Sequence, residues 1–371
     1  MQFQQVSSHK AFRTGEIRFP QFANKKYSTP GYIVQTRKGS VPCITCDHFD
    51  ELIENLFGSE ESVMLNLNFW DILENPSTEI LSKYLEQFPS KSLASYLHLE
   101  KYPLFQTLRN VEFPHSTSHS NDKGMYADLE KGRFKVSHEE FTNQTFNLFK
   151  NAAFVAMYDT NVKCEVNGSF GSGKQVKRAK TSTEKWGQHC IQKRQQLVDQ
   201  SQANIPEMFY SVFYQNGETS LIPQEYFTNT SNIRGINVDI GQMDPLENIT
   251  KIKESLASQN CQVNNLLFLI SGKDNPLEIL DCVERGIDLF DGVYPFIMAE
   301  MGEACVYPLE LDADHVVKTG MTINLRDRKY EKDFTPLDSS CNCYVCRKHT
   351  KAYIHHLLNT HEMLGEILLT M

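Results

Sequence analysis

The chain has 371 residues, of which 40% are hydrophobic and 22% are charged, so it can bury a core and is not a disordered tail. Its 37 basic and 46 acidic residues give a net charge of −9, which excludes a protein coated in positive charge for non-specific nucleic-acid binding. The longest strongly apolar run covers 266–270, far below the roughly 20 residues of a membrane span, and residues 1–12 lack a secretory apolar core. We therefore expect a soluble, cytoplasmic protein.

The N-terminal part of the chain, residues 1–46, is predicted to form an antiparallel β lid. Short runs of alternating polar and apolar residues occur at 16–19 and 32–36, and turn residues lie between them. Such alternation is typical of strands that bury one face.

Residues 47–330 are predicted to form a barrel, because apolar strands alternate there with helical patterns. This spacing implies a parallel sheet covered on both faces, and at this length we expect an α/β fold of the (β/α)₈ TIM-barrel type. The alternative is an open, doubly wound sheet. The predicted strands cover 63–69, 152–158, 208–214, 236–240, 266–270 and 287–294, and the predicted helices cover 77–88, 245–258 and 275–285.

Three polar residues lie at or near the C-terminal ends of predicted strands, where parallel α/β folds place their functional groups. They are Asp159, Gln215 and Asp291. We treat them as candidate site residues.

Residues 160–203 interrupt the strand–helix pattern and are predicted to be a flexible, basic insertion in the barrel. Between 163 and 194 there are eight Lys or Arg residues and two Glu residues, and large apolar side chains are rare. Two interpretations remain open at this point. The segment is either a solvated loop or a local electrostatic contact for RNA on an otherwise acidic protein.

A cysteine cluster marks residues 331–371 as a zinc-binding subdomain. Cys341, Cys343 and Cys346 place three thiols within six residues, which suits one tetrahedral Zn²⁺ with a structural role. Three thiols cannot all pair as disulfides, so a reduced cluster without metal is the alternative. A fourth ligand is needed, and histidines follow on or near a predicted helix over 352–369. These candidates are His349, His355, His356 and His361.

Several motifs resemble one enzyme family, the tRNA-guanine transglycosylases. Residues 336–346 read Pro-Leu-Asp-Ser-Ser-Cys-Asn-Cys-Tyr-Val-Cys, and residues 351–357 read Lys-Ala-Tyr-Ile-His-His-Leu. With 362–371 they are similar to the family's zinc subdomain, and 283–295 is similar to its nucleophile segment. The resemblance implies a TIM barrel that exchanges guanine for queuine or its precursor at the tRNA wobble position. It also implies that the fourth zinc ligand is a histidine at position 372, one past Met371.

The catalytic residues that the resemblance implies are only partly retained. Asp291 holds the nucleophile position, while Asp159 and Gln215 match residues that contact the base. Ile297 and Glu300 stand where the family has arginines, and a glutamate there would repel phosphate. The family's second carboxylate segment has no match in 110–125, so we expect no catalytic residue in this chain.

An intact zinc motif beside a depleted catalytic set implies a non-catalytic accessory subunit. The expected partners are a catalytic subunit of the same fold, in a heterodimer, and tRNA rather than DNA; alone, the chain would form a homodimer. The resemblance also implies peripheral association with the mitochondrial outer membrane. Two alternatives remain: an active transglycosylase that uses Asp291 as nucleophile, and a stand-alone protein that binds queuine for salvage.

Overall fold

The computed structural model describes thirteen segments of the chain: 1–9, 12–108, 119–121, 124–148, 153–155, 173–200, 205–215, 218–219, 233–239, 245–258, 263–270, 276–306 and 322–371. The chain divides into two compact units, Met1–Gly292 and Val293–Met371. Each unit has a hydrophobic core of its own.

The first unit begins with a three-stranded antiparallel sheet, as predicted. It contains β1 (Gln2–His9), β2 (Phe12–Arg18) and β3 (Tyr27–Thr29) in that order. Burial alternates along β2, so every second side chain faces the core, as the two-residue period of a strand requires.

The remaining strands of the first unit carry the barrel and its additions. In chain order they are β4 (Gly31–Gln35), β5 (Met64–Asn68), β6 (Leu104–Thr107), β7 (His119–Asn121), β8 (Gly124–Leu129), β9 (Gly132–Val136), β10 (Ala153–Val155), β11 (Glu207–Gln215), β12 (Glu218–Thr219), β13 (Ile233–Asp239), β14 (Leu267–Ile270) and β15 (Leu289–Gly292). Strands β7, β8 and β9 form a separate antiparallel sheet, and β12 pairs antiparallel with the end of β11.

The other eight strands form a closed parallel barrel. Their order is β4-β5-β6-β10-β11-β13-β14-β15, and β15 pairs with β4. The pairing of β10 with β11 completes the ring, since Ala153 lies opposite Glu207 on one side and Phe105 on the other. The TIM-barrel prediction is therefore confirmed, and the open doubly wound alternative is wrong.

In all but one of the connections between consecutive barrel strands, the described residues include helices, and these cover the outside of the barrel. They are α1 (Cys46–Phe57), α2 (Phe69–Ile72), α3 (Thr78–Gln87), α4 (Leu93–Leu97), α5 (His138–Leu148), α6 (Gly173–Asp199), α7 (Pro245–Ser258) and α8 (Pro276–Glu284). Helix α1 ends where Gly58 adopts a positive φ of 70°, which a residue without a Cβ tolerates.

The N-terminal sheet closes the amino end of the barrel. Ile17 and Tyr27 of this sheet, with Phe19 just after β2, share one buried cluster with barrel-interior residues such as Phe209 and Leu289. The lid prediction is confirmed for β1–β3, and the end that it covers lies opposite the carboxyl ends of the strands.

A buried ion pair fastens this sheet to the barrel. Arg13 donates from Nε to Asp288 Oδ1 at 2.8 Å and from Nη1 to the carbonyl of Asn264 at 3.1 Å. Asp288 also accepts from the backbone N–H of Phe268 at 2.7 Å. Because the charges are paired and hydrogen-bonded, the unfavourable desolvation of both groups is offset.

In its described residues, 293–306 and 322–371, the second unit contains two short strands and four α-helices. They are α9 (Tyr294–Met301), β16 (Glu303–Cys305), β17 (Thr322–Asn324), α10 (Tyr344–Lys348), α11 (Lys351–Asn359) and α12 (Met363–Thr370). The core of this unit is aliphatic and includes Leu325, Val345 and Ile354. Thr350 caps α11 by accepting from the backbone N–H of Tyr353 at 3.3 Å.

Three predictions are corrected by the structure. The barrel begins at β4, because 31–35 pair in parallel with β5 and β15 and do not belong to the antiparallel lid. Residues 173–199 form the long helix α6 and not a flexible insertion. The helix predicted over 352–369 is two helices, since His361 between them has a φ of +57°.

The boundaries of the units also differ from the prediction. The second unit begins at Val293, well before the predicted zinc subdomain at 331. The reason is that α9, β16 and β17 belong to the same compact unit as the cysteine cluster. In the described part of the chain, no helix is both long enough and apolar enough to cross a membrane.

Candidate functional site

The carboxyl edge of the barrel brings two of the three predicted strand-end residues to one side of the sheet. Gln215 is the last residue of β11, and Asp291 lies one residue before the end of β15. Asp239 is the last residue of β13. Asp159, the third candidate, lies outside the described residues.

Asp291 lies inside the barrel and is 5% exposed. It shares the interior face of β15 with Leu289, and Ile33 of β4 is its register partner. Its charge reaches the neighbouring strand, because burial and then the Asp291 carboxylate raise the pKa of Tyr32 above the ordinary value. The position thus places a carboxyl group in a largely buried environment at the carboxyl edge, where a nucleophile or a hydrogen-bond acceptor for a ligand would be needed.

Buried amides and hydroxyls form a polar layer in the barrel above its apolar interior. Asn66 donates from Nδ2 to Gln35 Oε1 at 2.7 Å and to Thr107 Oγ1 at 2.9 Å. On the other side, Asn237 donates from Nδ2 to Ser211 Oγ at 3.3 Å. All five residues are less than 8% exposed. We call these residues, together with Asp291, the polar layer.

Asn237 is the member of the polar layer whose acceptor is not satisfied. Its Oδ1 is buried and has no hydrogen-bond partner among the described residues, although the residue is only 2% exposed. An unpaired buried acceptor destabilises a protein by about 1–3 kcal/mol, so such atoms need an explanation. A ligand with an N–H donor would supply the missing bond.

The sequence prediction missed this polar layer. Asn66 and Asn237 were placed in buried strands, and nothing in a single strand shows which neighbour its side chain will meet. The available signal was an amide in the middle of an apolar strand, which is rare unless it has a partner.

The cysteine cluster of the second unit is assembled as predicted. The ligand atoms of Cys341, Cys343 and Cys346 all lie within 4.8 Å of one another, so the group could hold a metal ion. Cys341 Sγ accepts from the N–H of Cys343 at 3.5 Å, and Cys343 Sγ accepts from the N–H of Cys346 at 3.4 Å. Cys343 also caps α10, so the start of that helix fixes the fold of the knuckle.

The ionisation of these thiols supports a role as metal ligands. Burial opposes ionisation of Cys343, but N–H groups of Cys346 and Val345 and the neighbouring thiols stabilise its thiolate and lower its pKa overall. Burial and then the charge on Cys343 raise the pKa of Cys346 to about 12. Simultaneous ionisation of Cys343 and Cys346 is therefore unfavourable without a cation, and a divalent ion with an affinity for sulfur would remove that repulsion.

None of the four histidine candidates joins the cysteine group in the described part of the chain. His355 is buried and engaged elsewhere, because its Nδ1 contacts the Leu325 carbonyl at 2.7 Å and its Nε2 contacts Asn359 Nδ2 at 2.8 Å. Three thiols leave one position of a tetrahedral site for a further donor.

Beside the knuckle, three rings form an exposed aromatic column. Tyr344 packs edge-on against His349 with centroids 5.5 Å apart, and His349 stacks on Tyr353 at 5.3 Å. Tyr344 is 56% exposed and Tyr353 is 40% exposed. Rigid exposed rings of this kind are typical of the energetic centre of a protein–protein interface.

Comparison with known proteins matches the barrel and the cysteine knuckle to one protein family. The queuine tRNA-ribosyltransferase family matches residues 8–371 of the chain. The human queuine tRNA-ribosyltransferase accessory subunit 2 is 25% identical over 375 residues, which cover 92% of this chain and 85% of the relative. The Aedes aegypti protein of the same name is 25% identical over 94% of this chain and 80% of its own length. The Danio rerio one is 36% identical over a shorter stretch, 28% of this chain and 32% of the relative. Since the family match extends over nearly the whole chain, the protein belongs to the queuine tRNA-ribosyltransferase family.

Proposed function

We propose that the chain is the non-catalytic accessory subunit of a heterodimeric queuine tRNA-ribosyltransferase. In this role it binds a catalytic subunit of the same family and helps to position tRNA, while the partner exchanges guanine for queuine at the wobble position. The observation that carries the proposal is the exposed aromatic column next to an assembled cysteine knuckle. Relatives named as accessory subunits support the same assignment.

The loss of residues expected for catalysis supports the non-catalytic part of the proposal. Asp291 is buried at the carboxyl edge, but the positions that the family fills with arginines hold Ile297 and Glu300. Without these cations the phosphates beside the reacting ribose lose their electrostatic anchors. A carboxylate that cannot hold its substrate in place contributes little to the rate.

The aromatic column is the proposed docking surface for the catalytic subunit. Substituting Tyr353→Ala removes the ring that stacks on His349 and leaves the helix intact, since alanine favours helices. We expect the affinity for the catalytic subunit to fall about thirtyfold, as for the loss of an interface hot spot. Phe334→Ala is the matched control, because Phe334 is a more exposed aromatic residue of the same unit outside the column.

We further propose Zn²⁺ as the metal of the knuckle, because thiolates at this spacing are ligands that zinc prefers. The metal would hold the loop before α10 in place and so fix the aromatic column. Metal analysis of the purified chain should show about one zinc per molecule, and Cys346→Ser should lower both the zinc content and the affinity for the catalytic subunit. A Cys346→Ser protein that binds the partner normally would contradict this role.

The decisive experiment measures guanine exchange on tRNA by the chain alone, by the chain with its catalytic partner, and by Asp291→Ala in both settings. The proposal predicts no exchange by the chain alone and full exchange by the Asp291→Ala complex. Exchange by the chain alone that disappears in Asp291→Ala would establish the competing hypothesis of an active transglycosylase.

A second candidate function, the binding of a free base such as queuine, is favoured by one observation. The unpaired Oδ1 of Asn237 and the other amides of the polar layer could pair with the N–H and carbonyl groups of a planar heterocycle. Calorimetry with free queuine and the chain alone tests this function. Saturable binding would support it, and the absence of heat would exclude it.

A further inference from the structure

Helix α6 presents a stripe of exposed residues along its 27 residues, interrupted between Lys185 and Gln192, where no residue is exposed. We call it the α6 stripe; its members follow the helical period on the side away from the barrel. They are Lys174, Lys177, Arg178, Thr181, Lys185, Gln192, Gln196 and Asp199. The opposite face is buried and includes Trp186 and Cys190.

The charge of the α6 stripe is confined to its first half. Four cations lie between Lys174 and Lys185, whereas the second half is neutral until it ends at Asp199. The N-terminal end of a helix dipole is positive, so a cation in the first turn, here Lys174, is unfavourable by about 0.3–1 kcal/mol. The first turn of α6 also lacks an acidic residue and the last turn lacks a basic one. The positive charge is therefore not placed to stabilise the helix, which is consistent with a binding function.

The basic half lies toward the carboxyl edge of the barrel. Near the other end of α6, Arg194 donates from Nε to the carbonyl of Pro206, just before β11 begins, at 2.9 Å. Closer to the N-terminus of the helix, Gly187 lies so near Tyr210 that a Cβ on this glycine would come within 2.4 Å of the tyrosine ring. The helix thus runs antiparallel to β11, so its N-terminal half lies toward the carboxyl end of the strand, and it contacts β12, which follows that end. Lys174, Lys177 and Lys185 lie in the N-terminal half of the helix, the half nearer the carboxyl end of β11.

We propose that the basic half of the α6 stripe binds the phosphate backbone of tRNA beside the mouth of the barrel. The inference rests on the proposed function, since it names the surface through which this subunit contacts RNA. From Lys174 to Lys185 the helix rises about 16 Å, which spans several consecutive phosphates. The protein as a whole carries a net charge of −9 and would repel a polyanion, so only a local positive surface can attract one. The basic half of the α6 stripe is such a surface, and a polyanion is therefore its occupant.

The test measures the binding of a fluorescently labelled tRNA transcript to the heterodimer over a range of salt concentrations. The variant K174Q/K177Q/K185Q removes three cations that glutamine replaces without loss of helix propensity. We expect tRNA binding about tenfold weaker at low salt, and a slope of log affinity against log salt reduced by about two to three.

A rearranged variant keeps the net charge of the helix but moves three positive charges from its first half to its second half. It combines the three lysine substitutions with Q188K, Q192K and Q196K, which place lysines in the second half of the same helix. The proposal predicts that this variant binds tRNA as weakly as K174Q/K177Q/K185Q while its thermal stability is unchanged or raised. Full recovery of tRNA binding would show that only net charge matters and would overturn the proposal.

Two further outcomes are decisive. If the triple variant forms an active heterodimer with unchanged affinity and salt slope for tRNA, the inference fails although the proposed function stands. If no heterodimer forms with the unmodified chain, the proposed function itself fails. Sedimentation with anionic vesicles is the last arm: loss of vesicle binding in the triple variant, with tRNA binding intact, would assign the stripe to a membrane surface and overturn the proposal.

Discussion

The two ends of the barrel bury different chemistry. At the amino end the N-terminal sheet covers an apolar interior, and the buried charges of Arg13 and Asp288 are fully hydrogen-bonded. At the carboxyl end the interior is polar, and Asn237 keeps an acceptor without a partner in the described chain. The amino end also buries a hydroxyl without a partner, Thr29 Oγ1, so one unsatisfied atom does not by itself distinguish the two ends. The difference is that the carboxyl end concentrates amides and a carboxylate in the barrel interior, where a ligand can pair with them. The amino end, in contrast, serves stability.

The largest effect is expected for Asp288→Ala at the amino end. The substitution leaves the Arg13 guanidinium buried without its carboxylate, and breaking a buried pair in this way destabilises a protein by about 3–5 kcal/mol. Urea unfolding of the purified chain measures the change. Asp128→Ala is the matched control, since Asp128 pairs with Arg133 on the surface at 2.7 Å and exposed pairs contribute about 0–1 kcal/mol. Equal losses from the two variants would contradict the role assigned to the amino end.

The next effect concerns the apolar interior beside the polar layer. Leu269 is 1% exposed and is the register partner of Asn237 on β14. Leu269→Ala leaves a cavity in the barrel, and we expect a loss of about 2–5 kcal/mol of unfolding free energy. Leu280→Ala on α8 is the control, because this leucine is largely exposed and its truncation should change stability by less than about 0.5 kcal/mol. A Leu269→Ala protein as stable as the control would show that the barrel interior is not packed there.

A smaller effect is expected from pH at the amino end. Burial and then the charge of Arg13 lower the pKa of Lys253 to about 8 from its ordinary 10.5. Between these two values the unfolded chain binds more protons than the folded chain, so this lysine makes stability rise with pH from about 8 upward.

Substituting Lys253→Met should abolish this rise. Both unfolding free energies are measured from pH 7 to 9.5. Over this range, the unfolding free energy of the unmodified chain should rise by about 1 kcal/mol relative to that of Lys253→Met. The range stops below pH 10, because burial raises the pKa of Tyr27 and its ionisation in the unfolded chain lowers stability there. A constant difference between the two proteins would show that Lys253 is not shifted.

The sequence alone predicted the parts of the fold that depend on local pattern. The apolar strands β5, β11, β13 and β14 and the helix α7 could be identified from their own residues. The cysteine cluster was predictable for the same reason, since its ligands lie within six residues. Strand β4 was assigned to the lid because its alternation is typical of an antiparallel strand.

Helix α6 was missed because its buried face is made mainly of small residues. Ala179, Ser182 and Gly187 allow the helix to approach the barrel closely, but they add little to a hydrophobic pattern. The polar layer was missed for another reason: the contact of Asn237 with Ser211 depends on the register between two strands, which no single segment of sequence contains.

The smallest effect on stability is expected at the carboxyl end. Asn237→Leu replaces an amide whose Oδ1 is unpaired by an apolar side chain of similar size, and it gives up one long hydrogen bond to Ser211. Because these two changes oppose each other, we expect the unfolding free energy to change by less than about 1 kcal/mol.

The same substitution sharpens the contrast between the two ends. If the polar layer binds a base, Asn237→Leu should abolish the heat of queuine binding while stability is kept, a separation that no amino-end variant should show. Asn237→Asp is a companion variant. It keeps an acceptor but removes the amide N–H donors, one of which donates to Ser211 Oγ. A loss of several kcal/mol in Asn237→Leu would instead mean that the amide stabilises the barrel, and the carboxyl end would then serve stability as the amino end does.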